Sequence, residues 1–483
     1  MSTTGSSNRS ASGTPSARRR EHVRGRWSYS ADLSIGREKT IHAFKQILGL
    51  PIPWLMVLLP VLLATSRAAT EIASWGLAIL TLFYIATDSF ARNREFQFFR
   101  LGPDISLAAC LFAGILSIVS SMAIAANSAS ASLDTLGLLL EGLGHLRWIP
   151  LLYLFVYAWE LFPGLNRIIV ALVGTVTTVA VLAWIQHFQG VDWLTGESLV
   201  RAPTGEIPYY VPRGFLGSTE ALATLFACTL PFPVAAACLR REGDETDRVT
   251  WIGFGLAVVI ALALVFTYRP GLWWAGGAGA LALLLFPGDR RLKLLASIAV
   301  AIAAVWFLLF FAFDFGAKTP AASVWTMINV EEAKREEVHR AQMNSLVTVW
   351  ETSPLLGVSG SVSDLDSLAS KRTSDAARYE SVNIYFLMLA RSGIVGLVLY
   401  LAFVLHHLLN TLRLFHEIPE SHHRHRVLAA GCFASQCAFH VAGLFWSTMT
   451  EAFSMNLFIL VGSMSLYMTE HYAHGLVPDD NAL

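Results

Sequence analysis

The stretch that decides the fold is residues 250–293, which read TWIGFGLAVVIALALVFTYRPGLWWAGGAGALALLLFPGDRRLK. It holds two apolar runs, at 250–268 and 271–287, which are joined by a short turn around Arg269 and followed by a basic cluster. A membrane-spanning helix needs about 20 mostly apolar residues. Two such runs with a tight turn between them therefore predict a helical hairpin that crosses a membrane.

The same pattern repeats along the chain, which has 483 residues, 54% of them hydrophobic and 14% charged. Soluble proteins carry about 25% charged residues, so an ordinary soluble enzyme is not expected, and a disordered or fibrous chain is excluded. The sequence predicts an all-α polytopic membrane protein with about twelve transmembrane helices. The predicted spans are 47–65, 72–89, 104–126, 147–163, 167–188, 218–239, 250–268, 271–287, 294–313, 393–411, 427–447 and 450–468.

The distribution of basic residues between the spans predicts the orientation in the membrane. Arginines and lysines cluster in the N-terminal segment and then in alternate loops, at 92–100, 240–248, 290–293 and 413–426. Because cytoplasmic loops carry an excess of Lys and Arg, we expect both termini to be cytoplasmic. Residues 1–40 begin with a stretch rich in Ser, Gly, Thr and Arg and are predicted to be a disordered cytoplasmic tail, and residues 471–483 form a second tail.

Two long segments are predicted on the outer face of the membrane. The first, at 189–217, interrupts the block of predicted helices 1–9 at 41–313, and the second, at 314–392, precedes helices 10–12 at 393–470. Loops of this length are usually functional. The second segment contains helical spacing from Val330 to Glu351, a turn region at 354–360 and a short predicted helix from Val382 to Arg391.

The composition excludes several kinds of partner and site. The 35 basic residues equal the 35 acidic ones and are scattered between apolar runs, so no nucleic-acid partner is expected. The five cysteines all lie in apolar runs and are interpreted as packing residues. No His, Cys, Asp or Glu spacing fits a metal site, and we expect neither a metal nor another cofactor.

Three arginines lie on the predicted outer face, where arginine is least expected. They are Arg213 just before the sixth span, Arg269 in the turn between the seventh and eighth, and Arg340 in the large loop. A guanidinium is always charged and binds phosphate oxygens bidentately. Several that converge on an outer cavity would bind a lipid-linked phosphate or diphosphate. In the alternative interpretation, each arginine reaches lipid headgroups or pairs with a nearby carboxylate.

The candidates for a general base are His339 and Glu380, with Asp364 as a further carboxylate. Asn383 either orients a sugar or caps the helix that begins beside it. His440 and Glu451 lie in or beside the last two spans and are either site residues or packing partners. The polar sequence 422–425 is interpreted as a solvated cytoplasmic loop.

Four stretches of the second half, within residues 140–470, resemble the O-antigen ligase and polymerase superfamily, which are bacterial membrane glycosyltransferases of the GT-C type. The stretches are Arg213-Gly-Phe-Leu-Gly217, Tyr268-Arg269-Pro-Gly-Leu-Trp273, Arg340 to Trp350 followed by Ser353-Pro-Leu-Leu-Gly357-Val-Ser-Gly360, and Val382-Asn383-Ile-Tyr385 continuing to Gly393-Ile-Val-Gly396. Each motif alone is short, but their order and their placement on the predicted outer face match the family.

The resemblance implies a multi-pass protein of the bacterial inner membrane that needs no metal. Such enzymes move a glycan from undecaprenyl diphosphate onto a hydroxyl acceptor at the periplasmic face. The family's arginines are thought to hold the diphosphate, a role that would fall to Arg213 and Arg269, with Arg340 as a third. The implied partners are this glycan donor, a lipid-linked glycan or lipid A-core acceptor, membrane lipid and other polysaccharide assembly proteins.

One departure from the ligase pattern favours a polymerase. Ligases carry a His before the Asn of the last motif, where this chain has Val382, which cannot accept a proton. We therefore expect polymerisation of O-antigen or exopolysaccharide repeat units. The alternatives are transfer to lipid A-core or to a protein, and a peptidoglycan polymerase of different fold. A transporter or flippase and a non-catalytic scaffold of an envelope complex also stay open.

Overall fold

The computed structural model describes residues 47, 49–92, 104–127, 146–161, 164–193, 195–199, 210–239, 247–286, 343–344, 346–351, 353–358, 383–446, 448 and 452–473. These residues are mostly helical and contain no β-strand beyond one isolated bridge between Val191 and Ser198. The helices are α1 (Pro51–Thr65), α2 (Arg67–Arg92), α3 (Asp104–Asn127), α4 (Trp148–Leu161), α5 (Leu165–Gln189), α6 (Thr219–Thr229), α7 (Pro231–Cys238), α8 (Asp247–Phe266), α9 (Pro270–Ala282), α10 (Ile384–Glu417), α11 (His423–Ala442) and α12 (Ala452–Ala473).

Each predicted span overlaps one or two of these helices, except 294–313, which lies outside the described residues. Four helical stretches are by themselves long and apolar enough to cross a membrane, namely Arg67–Thr87, Leu165–Gln189, Thr219–Cys238 and Ile384–Glu417. The described chain is therefore an all-α protein with helices suited to a membrane. The total of twelve spans stays a prediction, and so do the orientation and the two tails.

The helices are arranged as a central group surrounded by a peripheral one. Helices α6, α7, α11 and α12 are buried almost all round, and 83% of the apolar window in Thr219–Cys238 is inside the protein, against 33% in Arg67–Thr87. The peripheral helices expose large apolar side chains, which include Trp54, Ile72, Phe112, Val170 and Trp251. A continuous apolar exterior of this kind is what lipid contact requires.

Contacts between helix ends define two ends of the bundle. At the end that we call the upper end, α5 and α8 finish, α6 and α9 begin, and the Ile384 N–H of α10 donates to the Gly443 carbonyl after α11. At the lower end, Phe286 after α9 packs on Phe415 of α10 with ring centroids 4.5 Å apart. The upper end holds the turns in which Arg213 and Arg269 lie.

The structure refines two local predictions and corrects a third. The predicted span 218–239 is matched by the apolar stretch Thr219–Cys238, in which α6 and α7 meet at Leu230. Pro231 and Pro233 follow at this point, and an internal proline removes a helical hydrogen bond. The helix predicted from Val382 to Arg391, inside the segment 314–392, begins at Ile384 and continues past a kink at Gly393 as α10. The interpretation of 422–425 as a solvated loop is wrong, because α11 begins at His423 and His425 is buried, with its Nδ1 2.6 Å from the Tyr472 hydroxyl.

Candidate functional site

The segment that leads into α6 holds Arg213 in place through its backbone. Gln186 lies in the last turn of α5 and is buried, and its Oε1 accepts the N–H groups of Arg213 at 3.2 Å and Gly214 at 2.9 Å. Gly214 has φ of 58°, and a Cβ there would meet Leu222. The backbone at Arg213 is therefore fixed, while its side chain remains half-exposed.

His187 ties the same segment to the end of α8. Its Nδ1 lies 2.8 Å from the Tyr210 carbonyl, and the Tyr210 N–H donates back to the His187 carbonyl at 2.9 Å. Because a carbonyl can only accept, Nδ1 carries a proton. The imidazole also stacks on Phe266 with ring centroids 4.3 Å apart and lies 5.8 Å from the ring of Tyr268. The Arg213 segment and the Arg269 turn therefore flank one aromatic cluster.

The turn that carries Arg269 is tight and anchored at both sides. Tyr268 adopts φ of 52°, an uncommon conformation for a residue other than glycine, and Pro270 starts α9 immediately after Arg269. The indole N–H of Trp273 donates to the Leu264 carbonyl at 2.9 Å, which joins the start of α9 to the end of α8. The position of Arg269 is thus set by backbone geometry on both sides.

The guanidinium of Arg269 forms an ion pair with Glu220, which lies in the first turn of α6. The two side chains are 16% and 23% exposed, so water screens the pair only partly. Glu220 also accepts a hydrogen bond from the Ser218 hydroxyl at 3.1 Å, and Ser218 caps α6 by accepting the Ala221 N–H at 3.3 Å. The interpretation in which an arginine at a helix end pairs with a nearby carboxylate therefore describes Arg269.

Arg213 differs from Arg269 in this respect. Among the residues that the structure describes, the Arg213 guanidinium makes no ion pair or hydrogen bond. The upper end therefore carries one paired and one unpaired arginine on neighbouring turns. Such an arrangement can bind an anion, because an unpaired guanidinium offers five donors and no acceptor.

A second part of the upper half is formed by the turn 353–358, which packs against the kink in α10. Gly393 has φ of 65° and ψ of −172°, which breaks the helix. The carbonyls of Pro354 and Leu355 accept the Ile394 and Val395 N–H groups at 2.9 and 3.3 Å, and the Val358 N–H donates to the Ala390 carbonyl at 2.8 Å. The turn therefore satisfies backbone groups that the kink leaves without helical partners.

Asn383 acts as the N-cap of α10. Its Oδ1 accepts the Tyr385 N–H at 2.8 Å, and the side chain is buried. The Tyr385 hydroxyl donates to the His440 carbonyl at 2.9 Å, which fixes the start of α10 on the end of α11. Of the two roles predicted for Asn383, helix capping is the one that these contacts show.

The predicted bases and the third predicted arginine are not among the described residues. His339, Arg340 and Glu380 lie outside the described residues, as do Asp364 and Glu451. Within the described ranges, no group of three or more His, Cys, Asp or Glu side chains is close enough to hold a metal ion. Of the predicted site, the structure thus brings Arg213 and Arg269 to one end of the bundle and Asn383 to the start of α10.

Sequence reasoning missed two residues of this site, Gln186 and Glu220. Glu220 is an acidic residue inside the apolar span 218–239, and an ionisable residue in such a position is a candidate site residue by default. That signal was available in the sequence. Gln186 gave no comparable signal, because its role depends on a turn that begins 27 residues later in the chain.

Comparison with known proteins found no family model that matches this chain and no curated protein that matches it.

Proposed function

We propose that this protein is a membrane glycosyltransferase of the O-antigen ligase and polymerase type. It transfers a glycan from undecaprenyl diphosphate to a hydroxyl acceptor at the periplasmic face of the bacterial inner membrane. The observation that carries the proposal is the presence of Arg213 and Arg269 on neighbouring turns at the upper end of an apolar helical bundle. The four short stretches that resemble the family support it from the sequence.

The proposed reaction places a specific demand on these side chains. The bond between the anomeric carbon of the glycan and the diphosphate oxygen breaks, and the acceptor hydroxyl oxygen forms the new bond to that carbon. Negative charge grows on the departing diphosphate, and the hydroxyl proton passes to a base. Fixed guanidinium groups stabilise the growing charge without reorganising. Arg213 and Arg269 serve as the diphosphate ligands, Arg340 as a third, and His339 or Glu380 as the base.

The acceptor determines whether the enzyme is a polymerase or a ligase. We favour polymerisation, in which the acceptor is another lipid-linked repeat unit, because Val382 stands where ligases carry a histidine. In the ligase alternative, the acceptor is lipid A-core or a protein. Asn383 in this proposal positions the start of α10, since its side-chain oxygen is occupied by the helix cap.

The proposal is tested in a strain that lacks this gene and is complemented with the wild-type protein, Arg213→Ala, Arg269→Ala or an empty vector. Surface and lipid-linked glycans are separated by size after each variant has been detected in the membrane. Single lipid-linked units with loss of the ladder indicate a polymerase. Long lipid-linked polymer that never reaches its acceptor indicates a ligase. An unchanged profile in the deletion strain refutes both.

A transporter or flippase is the second candidate, and one group of buried residues favours it. His407 of α10 and His440 of α11 are buried in the bundle, and the Ser465 hydroxyl of α12 lies 3.2 Å from His407 Nε2. Helices interrupted at Pro231 and Gly393 also occur in transporters. In that case His407→Ala abolishes the activity of the protein in cells, while Arg213→Ala and Arg269→Ala retain it.

A further inference from the structure

Glu220 is a carboxylate whose two oxygens are both engaged at the upper end of the bundle. Oε1 pairs with the Arg269 guanidinium, and Oε2 accepts the Ser218 hydroxyl at 3.1 Å. Glu220 also lies in the first turn of α6, where the helix dipole stabilises a negative charge. A carboxylate held in this way has a fixed position, and its oxygens are not available to take a proton from an acceptor hydroxyl.

The contacts of Glu220 determine the direction of the Arg269 side chain. The backbone at Arg269 is fixed by Tyr268 and Pro270, and the far end of the side chain is fixed by Glu220. The Nε of Arg269 is buried, and it has no hydrogen-bond partner among the described residues. The pair thus holds one edge of the guanidinium and leaves a donor unused.

We propose that Glu220 is a positioning residue, which holds the Arg269 guanidinium in the orientation that stabilises the departing diphosphate. This inference rests on the proposed function. Glu220 itself does not touch the reacting atoms, and it transfers no proton. Its effect on the reaction passes entirely through Arg269.

Two opposite effects follow for the donor. Before the reaction, the Glu220 carboxylate competes with the diphosphate for Arg269 and repels it, so Glu220 does not strengthen donor binding. As the glycosidic bond breaks, a guanidinium that is already oriented stabilises the new charge at once, which lowers the barrier. Loss of Glu220 should therefore lower kcat and leave KM for the donor unchanged or lower.

The experiment uses the full-length protein in detergent micelles, with lipid-linked glycan extracted from the deletion strain as the donor. The variants are Glu220→Ala, Glu220→Gln, Arg269→Ala and the double variant Glu220→Ala with Arg269→Ala. The matched control is Glu71→Ala, which breaks the pair between Glu71 of α2 and Arg147, whose side chains are 38% and 24% exposed. Initial rates at several donor concentrations give kcat and KM separately.

We expect Glu220→Ala to lower kcat on the order of 10- to 100-fold without raising KM, since a misplaced donor group costs about that much. Glu220→Gln, which keeps an acceptor at this position, should recover part of the loss. In the Arg269→Ala background, Glu220→Ala should change kcat by less than about twofold, because both changes remove one unit. Glu71→Ala should retain the wild-type kcat.

Three results would overturn the inference. They are a raised KM with unchanged kcat in Glu220→Ala, an equal loss in Glu220→Ala and Glu71→Ala, and an undiminished effect of Glu220→Ala in the Arg269→Ala background. Failure of the proposed function is recognised separately, because the wild-type protein itself would then transfer no glycan in this assay. Binding of undecaprenyl diphosphate, measured with the same variants, should be as tight in Glu220→Ala as in the wild type or tighter.

Discussion

Replacement of Gly393 by alanine tests whether the turn 353–358 and the kink in α10 form one unit. Gly393 has φ of 65° and ψ of −172°, a conformation that is essentially restricted to glycine. A Cβ at this position would overlap the Leu355 carbonyl and would lie 2.6 Å from the Leu356 nitrogen. Both neighbours are backbone atoms, so they cannot yield by a change of rotamer. Alanine therefore forces the turn away from α10.

The size of the effect follows from two contributions. A side chain in this backbone conformation costs about 1–3 kcal/mol. Separation of the turn also breaks the hydrogen bonds of the Val358, Ile394 and Val395 N–H groups, each with a net value of about 0.5–1.5 kcal/mol. Together these give a loss of about 3–7 kcal/mol in the free energy of opening this unit, and local exchange should rise at least about a hundredfold, since 1.4 kcal/mol is a factor of ten.

The assay is amide hydrogen exchange of the purified protein, followed by mass spectrometry of peptides that cover 353–358 and 384–396. The matched control is Gly174→Ala, because Gly174 lies inside α5 and a Cβ there meets nothing within 4 Å. We expect faster exchange of both peptides in Gly393→Ala and wild-type exchange in Gly174→Ala. Wild-type exchange of both peptides in a folded Gly393→Ala protein would refute the reasoning.

Three further changes test the upper end of the bundle. Gln186→Leu removes the acceptor of the buried Gly214 N–H and of the partly buried Arg213 N–H. We therefore expect a loss of about 2–4 kcal/mol, measured as a lower melting temperature in detergent, and reduced glycan transfer because Arg213 is displaced. Asn383→Ala should lower the free energy of unfolding by about 1 kcal/mol because the helix cap is lost, and Asn383→Ser should lower it much less. If both variants kept wild-type stability and lost glycan transfer equally, Asn383 would instead bind the sugar. Ser218→Ala should lower stability by a similar amount and lower kcat, whereas an unchanged kcat would show that its bond to Glu220 is dispensable.

The positions of the helices could be predicted because the signal is local. A run of about 20 apolar residues has few structures open to it in a membrane, and the turn at Arg269 is marked by Pro270 and the glycine after it. For this reason the predicted spans 250–268 and 271–287 match α8 and α9 closely. Pro231 also marks the break between α6 and α7 in the sequence, but a hydropathy average over about 20 residues does not detect it.

The errors arise where a residue's partner is distant in the sequence. The segment 422–425 is polar, and nothing in the neighbouring sequence indicates that it is buried. The position of His425 depends on its contact with Tyr472, 47 residues later. For Arg269 the sequence left open whether it binds a diphosphate or pairs with a carboxylate, because its partner Glu220 lies 49 positions earlier, inside an apolar run. Such pairs depend on how the helices pack, which cannot be deduced from a short stretch of the sequence.

The fold brings the short sequence motifs described above close together in pairs. The stretch at 353–358 meets the one at 383–396 through Gly357 and Gly393, where a Cβ on either glycine would meet the backbone of the other stretch. The stretch at 268–273 meets the start of α6, just after 213–217, through the pair of Arg269 and Glu220. The glycine pair is explained by helix kinking alone, so it says nothing about glycosyl transfer. Arg213 has no such structural explanation. Its side chain is half-exposed at the upper end, and its guanidinium has no partner among the described residues. Arg213 therefore supports the functional proposal more strongly than any glycine of the motifs does.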